Sequence, residues 1–354
     1  MRLTKTGSQA AEPDWDAVYR DRIHPAFAVG RGGQPQPRCI FVTGHQGSGK
    51  STALDALLAD LGPHETQRIV PDDLVFSLDL LHADTPVARA ALKAYGLTHC
   101  AIHCQRLADH AVAQRSHILW ERAIPGNIER LAIALRQLGY RVECLVLATP
   151  VEESWIGALG RCLTALDAGD TRAMRIGWPL VAETALRWPV VLDRVEQDLT
   201  FDRITILDRE AVVCFDNQVQ GPPKQRQWSD PPFAFESLMV ERARPRSTAT
   251  LAALLADWEA LLPRITAEGH CAWPPAETEA FDRHFRALVA DPASRFDLNA
   301  PDPDPAAAKA WIARLSADLA AVQASPEVKA RQDLAPRSQR LLQLVSRIAG
   351  QPTR

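Results

Sequence analysis

The feature that most constrains this chain is the run Gly44-His45-Gln46-Gly47-Ser48-Gly49-Lys50-Ser51. It fits the pattern G-x-x-x-x-G-K-S/T, with an apolar run before it (Cys39–Thr43) and a helical stretch after it (Ser51–Leu61). The chemistry explains the spacing. Glycines let the backbone curl until successive N–H groups converge on one anion. The helix that follows turns its positive end toward the same anion. The pattern therefore predicts a site for a nucleoside triphosphate and magnesium. Gly44, His45, Gln46, Gly47, Ser48, Gly49 and Thr52 would wrap the phosphates. Lys50 would reach the β- and γ-phosphates, and the Ser51 hydroxyl would hold Mg²⁺.

The rest of the chain extends this unit. Short apolar runs at Arg68–Val70, His117–Glu121, Val142–Ala148 and Arg203–Leu207 read as strands. Helical patterns fill the gaps at Pro86–Gln114, Ile128–Leu138, Val151–Leu166 and Pro179–Asp198. Continuous apolar strands alternating with helices imply a parallel sheet covered on both faces. The expected class is α/β, a P-loop NTPase-type parallel sheet flanked by helices. A hairpin around Asp208-Arg209-Glu210 would close it. Residues 1–36 contain one helix, Pro13–Ile23, and a Gly/Pro-rich connector. The nucleotide domain would span residues 37–219, with a Pro-rich linker at 220–233. Residues 234–354 read as a helical C-terminal extension of unassigned role, with helices at Thr248–Ile265, Glu277–Ala290, Pro305–Ala324 and Leu334–Ala349.

Composition narrows the classes. The chain has 354 residues and a formal charge of -3, so a polyanion-coating protein is disfavoured and a small-molecule partner fits better than nucleic acid. No uninterrupted apolar stretch approaches the ~18 residues of a membrane span, and the first 30 residues carry no apolar run of signal-peptide length. Cysteines at 39, 100, 104, 144, 162, 214 and 271 are scattered and odd in number, which reads as reduced cytosolic thiols. A cytoplasmic location is the expectation.

The phosphate loop names a nucleotide, not the chemistry done with it. A kinase needs a base beside an acceptor hydroxyl and cations around the transferring phosphoryl group. A motor or switch needs a strand-end Asp after a long apolar run. The third strand, HILWER, offers one carboxylate followed by Arg, a poor match to that second pattern. In a parallel sheet the strand C-termini face one crevice. After the second strand comes Ile69-Val70-Pro71-Asp72-Asp73-Leu74, which places Asp72 beside the γ-phosphate. Asp72 is there a general base or a helix N-cap, and Asp73 could fill either role. Glu121 ends the third strand, as a ligand for substrate or water-bridged Mg²⁺, or as an exposed strand-end charge. After the fourth strand a helix bears Arg161, a turn follows at Asp167–Asp170, and Arg172 and Arg175 come next. Arginines there suit a lid over the phosphoryl group, and are otherwise surface charges.

Together these residues resemble the zeta toxin family of P-loop kinases. The resemblance runs from about Asp14 to Val219. It rests on RDRIHPAF, GHQGSGKST, PDDL, WER, GYRVECLVLATPVEESWIGALGR and DRITILDREAVVCFD. It implies a catalytic base at Asp72, a substrate-binding Glu121, and a first phosphate-binding arginine at Arg161. The second falls on Arg175, or on Arg172 if the one-residue gap is placed otherwise; Asp73 and Arg172 would flank the substrate. It further implies ATP-dependent phosphorylation of the sugar 3′-hydroxyl of UDP-N-acetylglucosamine, with Mg²⁺, and a small helical antitoxin that occludes the ATP site. The chain departs from the family at Glu121-Arg122-Ala123-Ile124-Pro125-Gly126-Asn127, where Glu-Gly-Thr is usual. That leaves another nucleotide sugar, NAD, a nucleoside or a nucleic-acid end open as acceptor. The loop start, Gly44-His45-Gln46, replaces a common Gly-Gln-Pro.

One further cluster invites a metal reading. His99/His103 and Cys100/Cys104 are i,i+4 pairs, but a second ligand group is missing. The reading preferred is packed cysteines with histidines lining or flanking the crevice.

Overall fold

The computed structural model describes residues 13–29, 32–78, 95–169, 176–222, 224–266, 273–291, 294 and 305–324. Its frame is a sheet of seven strands: β1 (Arg38–Thr43), β2 (Thr66–Ile69), β3 (His117–Arg122), β4 (Arg141–Leu147), β5 (Arg203–Leu207), β6 (Val213–Gln220) and β7 (Gln227–Trp228). Their order is β2-β3-β1-β4-β5-β6-β7. The first five in that order run parallel, and β6 and β7 join antiparallel. The parallel strands carry unbroken buried runs such as Cys39 to Thr43, because helices cover both faces. The expected class and the closing hairpin are therefore observed.

The strand order puts β1, which feeds the phosphate loop, between β3 and β4. Register aligns Val42 with Glu121 and Thr43 with Arg122. Glu121 thus emerges level with the start of the loop. Helix α3 (Lys50–Leu61) leaves that loop and returns the chain to β2. A short helix, α4 (Pro71–Phe76), follows β2, with Pro71 at its first position, where a missing N–H costs nothing.

Further helices pack on this frame. On one side, α1 (Trp15–Val18), a π-helical turn (Tyr19–Ile23) and α2 (His24–Phe27) lie on α5 (Cys100–Gln114). Trp15 stacks on His99 at 5.0 Å, and Tyr19 meets His103 at 5.2 Å. The expected helix Pro86–Gln114 is described as helical from Tyr95, and its earlier part lies outside the described residues. On that same face α8 (Trp178–Gln197) covers the sheet and α9 (Ala234–Arg242) packs on α8, β5 and β6, while α10 (Thr248–Thr266) packs on α7 (Val151–Asp167), and α11 (Pro275–Ala290) and α12 (Pro305–Ala324) pack on α8. Helix α6 (Ile128–Gln137) bridges β3 and β4. The expected helix Leu334–Ala349 lies outside the described residues.

The segment 220–233, expected as a linker, carries β7. Trp228 Nε1 donates to Glu196 O at 2.7 Å, so this stretch is stitched to the frame. Helix α9 was not legible from apolar spacing. Its first amide, Ala234 N–H, donates to the Glu196 carboxylate at 3.0 Å, an acid supplied from α8 to the positive helix end. Trp311 of α12 then packs fully buried against α9, with Nε1 donating to Ala243 O at 2.8 Å. The described cysteines are all free thiols. No helix among the described residues is long and apolar enough to cross a membrane.

Candidate functional site

The phosphate loop forms the floor of a cavity of about 430 Å³ at the C-terminal edge of the parallel strands. Gln46, Gly47, Gly49, Lys50, Ser51 and Thr52 line it. Gly49 stands at the start of α3 with φ 98°, a left-handed conformation that a side chain would strain. Gly47 has φ 82°, and a Cβ there would fall 2.1 Å from Ser154 O, so the loop can close on α7 only as glycine. Thr149 Oγ1 donates to Ser48 O at 2.7 Å and ties the loop to the end of β4. Gly44 is buried, as are His45 and Ser48, whose side chains do not line the cavity. The His45 ring turns into the protein, with Nε2 2.8 Å from Ser154 Oγ.

Lys50 is nearly buried and points along the loop. Its ammonium donates to His45 O at 2.9 Å and lies 3.6 Å from Glu121. Burial pulls the Lys50 ammonium below the ordinary lysine range, while Glu121 and Asp72 push it back up. Glu121 is raised by burial, then partly lowered by Lys50 and raised again by Asp72. Asp72 opens onto the cavity from the first turn of α4; the surrounding recess raises its carboxyl, Lys50 draws it back, and Asp73 adds to the rise. The cap of α4 is Val70, with no side-chain cap hydrogen bond, so the alternative role of Asp72 as an N-cap is not realised. Its neighbour Asp73 pairs with Arg68 on the cavity wall.

Arg161 enters from α7, whose Ala158, Cys162 and Ala165 line the same wall. Residues three and four apart share one helix face, and small ones leave the guanidinium room. Burial and the nearby Arg209 lower Arg161, and Glu121 opposes them. The structure thus brings Lys50, Ser51, Asp72, Asp73, Glu121 and Arg161 around one space. Arg172 and Arg175 lie outside the described residues. Sequence reading missed Arg68, Phe76 and Ile176 in the wall. The spacing of 158, 161, 162 and 165 could have flagged the wall face of α7.

The oxygen donors suit magnesium: an exposed Ser51 hydroxyl at the first turn of α3 faces a cavity that also holds the carboxylates of Asp72 and Glu121, with Asp73 paired to Arg68. The histidines of α5 do not line it. His99 stacks on Trp15 and His103 meets the Tyr95 hydroxyl at 3.1 Å, so of the expected lining or flanking places neither takes the lining one. Cys100 Sγ donates to Pro71 O at 3.5 Å, a packing contact under α4.

Comparison with known proteins places this geometry. The family model described as Zeta toxin matches residues 31–220, more than half of the chain. The match starts after the Trp15–Phe27 segment, later than the expected resemblance from Asp14. No curated protein matches. Among solved structures, one from the PezAT chromosomal toxin–antitoxin system of the human pathogen Streptococcus pneumoniae aligns with TM-score 0.54 and 15% identity. That alignment covers 73% of this chain and 99% of the other, and it supports the fold. A structure of the AvrRxo1-ORF1:ORF2 complex aligns at TM-score 0.41 and 13% identity, over 71% of this chain and 76% of that one.

Proposed function

The chain belongs to the zeta toxin family of kinases, and from that premise we propose that it transfers the γ-phosphate of ATP to a sugar hydroxyl of a nucleotide sugar. The acceptor that family membership favours is the 3′-hydroxyl of UDP-N-acetylglucosamine, and the role is that of the toxin of a toxin–antitoxin pair. One observation carries the reading: Lys50, Arg161, Asp72 and Glu121 meet in one cavity on a phosphate loop.

Each side chain has a part. Backbone N–H groups from Gln46 to Ser51 cradle the phosphates. Lys50 exchanges its bond to His45 O for phosphate oxygens. Ser51 would help hold Mg²⁺, which when bound would supply positive charge against the phosphates. Asp72 accepts the proton of the attacking hydroxyl, and its raised carboxyl makes it a better base than an ordinary aspartate. Glu121, beside Lys50, orients the acceptor. Arg161 reaches from α7 to the phosphoryl group in flight, with Arg175 or Arg172 as its partner. The residues after Glu121 shape the acceptor's surroundings: Arg122 lies over the Trp120 ring and donates to Asn127 Oδ1 at 3.0 Å.

The test is to incubate the purified protein with ATP–Mg²⁺ and separate samples of nucleotide sugars, NAD and nucleosides, followed by mass spectrometry. A gain of one phosphate on UDP-N-acetylglucosamine is expected. A gain only on another compound would keep the kinase and replace its acceptor. Free ATP hydrolysis with no phosphorylated product would overturn the kinase reading.

A further inference from the structure

A cation from outside the family-matched segment stands behind the phosphate loop. Arg242 ends α9, and its guanidinium reaches back between α8 and the loop. Its two Nη groups donate to Ala185 O at 2.6 Å and to His45 Nδ1 at 3.3 Å. The Nε atom is buried without a partner among the described residues. No carboxylate among the described residues forms an ion pair with Arg242. The neighbouring Arg246 and Arg244 are paired, with Glu153 and Glu241 respectively. Arg242 is partly buried, and a cation withdrawn from water with only neutral acceptors is costly unless something else answers its charge. Consistent with that, burial alone drops Arg242 to about 9.

His45 relays the contact. Its ring is fully buried and accepts at Nδ1 from Arg242, which leaves the proton on Nε2, facing Ser154 Oγ at 2.8 Å. Its carbonyl accepts from Lys50. One residue therefore joins the loop's lysine, the start of α7 and a guanidinium from α9.

We infer that Arg242 is a positioning residue of the phosphate loop, fixing His45 from behind and setting there a positive charge that the nucleotide's phosphates answer. The inference rests on the reading of the loop as a nucleotide site. In the low-dielectric space under the loop, a unit charge is weakly screened and acts on the phosphates without touching them. Its effect scales with phosphate charge, which separates it from a role in folding.

The test uses the full chain with Arg242→Gln, which keeps donors for Ala185 and His45 but removes the charge, and Arg242→Lys, which keeps the charge. Calorimetry would give the affinity for Mg–ATP, ADP and AMP, with circular dichroism to verify folding. Arg242→Gln should bind Mg–ATP about tenfold more weakly, the scale of one charged interaction. The loss should shrink from ATP to AMP, and Arg242→Lys should recover most of it. Wild-type affinity in Arg242→Gln, or an equal loss for all three nucleotides, would overturn the inference and leave the kinase reading standing. Should Arg242→Gln fail to fold, a folded Arg242→Lys that binds ATP no better than it binds AMP, relative to wild type, would overturn it. A wild-type chain that binds no nucleotide would instead sink both readings.

Discussion

The phosphate-loop half of the molecule and its C-terminal helices serve the same cavity by different physical means. Around the loop the contributions are local: consecutive residues fix their own backbone through Gly47 and Gly49, and Lys50 and Ser51 follow at the only places the helix start allows. The helices after Ala234 supply none of the described residues in the cavity wall, which ends in sequence at Ile176. They hold what holds it. Trp155, on the same helix α7 as Arg161, is fully buried against Phe281 at 4.4 Å and Trp258 at 5.8 Å. His284 Nε2 lies 2.8 Å from Glu152 at the start of the same helix, and Arg246 pairs with Glu153 at 2.6 Å. A motif writes its geometry into neighbouring residues. Support arrives through packing between segments far apart in sequence.

Breaking the local half should give the largest effect. Asp72→Asn should lower phosphoryl transfer by about 10²- to 10⁴-fold, the range for losing a general base, with Mg–ATP binding retained. Retained transfer would move the base elsewhere. The pH sign follows from the raised carboxyl. A base must be deprotonated, so the acid limb of kcat/KM should lie above the ordinary aspartate value of 3.8. Stability runs the other way. A carboxyl whose folded value is raised costs stability above that value, and the cost disappears below the unfolded one. Asp72→Asn should therefore melt no lower than wild type at pH 7. A marked drop in melting temperature would show that Asp72 holds the fold as well as the chemistry.

Breaking the supporting half should show first in stability. Trp155→Ala removes a fully buried indole and a hydrogen bond from Nε1 to Ile176 O at 2.9 Å. Urea unfolding should lose about 3–5 kcal/mol. Transfer should fall with it, because the same helix carries Arg161 into the cavity. Normal stability would mean that the C-terminal helices merely rest on the frame. The smallest effect belongs to the rim of the same contact. Arg264 pairs with Asp167 at 2.7 Å, but both side chains are largely exposed. Arg264→Ala should cost less than about 1 kcal/mol and leave transfer unchanged. A larger loss would mean that charges, rather than the Trp155 cluster, join the two halves.

The contrast also explains what the sequence could tell. The strands around β1, the loop, the PDDL turn and the position of Glu121 were legible because local rules govern them: an unbroken apolar run, a glycine pattern, an acid at a strand end. Their assembly followed from parallel-sheet topology. The apolar side of α7 was legible as buried but not as to its partner, since spacing reports a buried face and not what buries it. Helix α9 escaped notice because it is buried nearly all round, from Ala234 to Glu241, so it lacks the one-sided stripe that marks a surface helix. Arg242 and His45 were out of reach for a related reason. They lie almost two hundred residues apart in sequence, and only the fold brings their side chains together.

The central claim is that this cavity moves a phosphoryl group from ATP to a small hydroxyl compound. Phosphorus NMR of the full chain with ATP–Mg²⁺ and UDP-N-acetylglucosamine follows that event directly. A new phosphomonoester signal should grow as the γ-phosphate signal fades, and Lys50→Ala should abolish both changes. Loss of the γ-phosphate into inorganic phosphate alone, with this acceptor and with the other nucleotide compounds, would contradict the account.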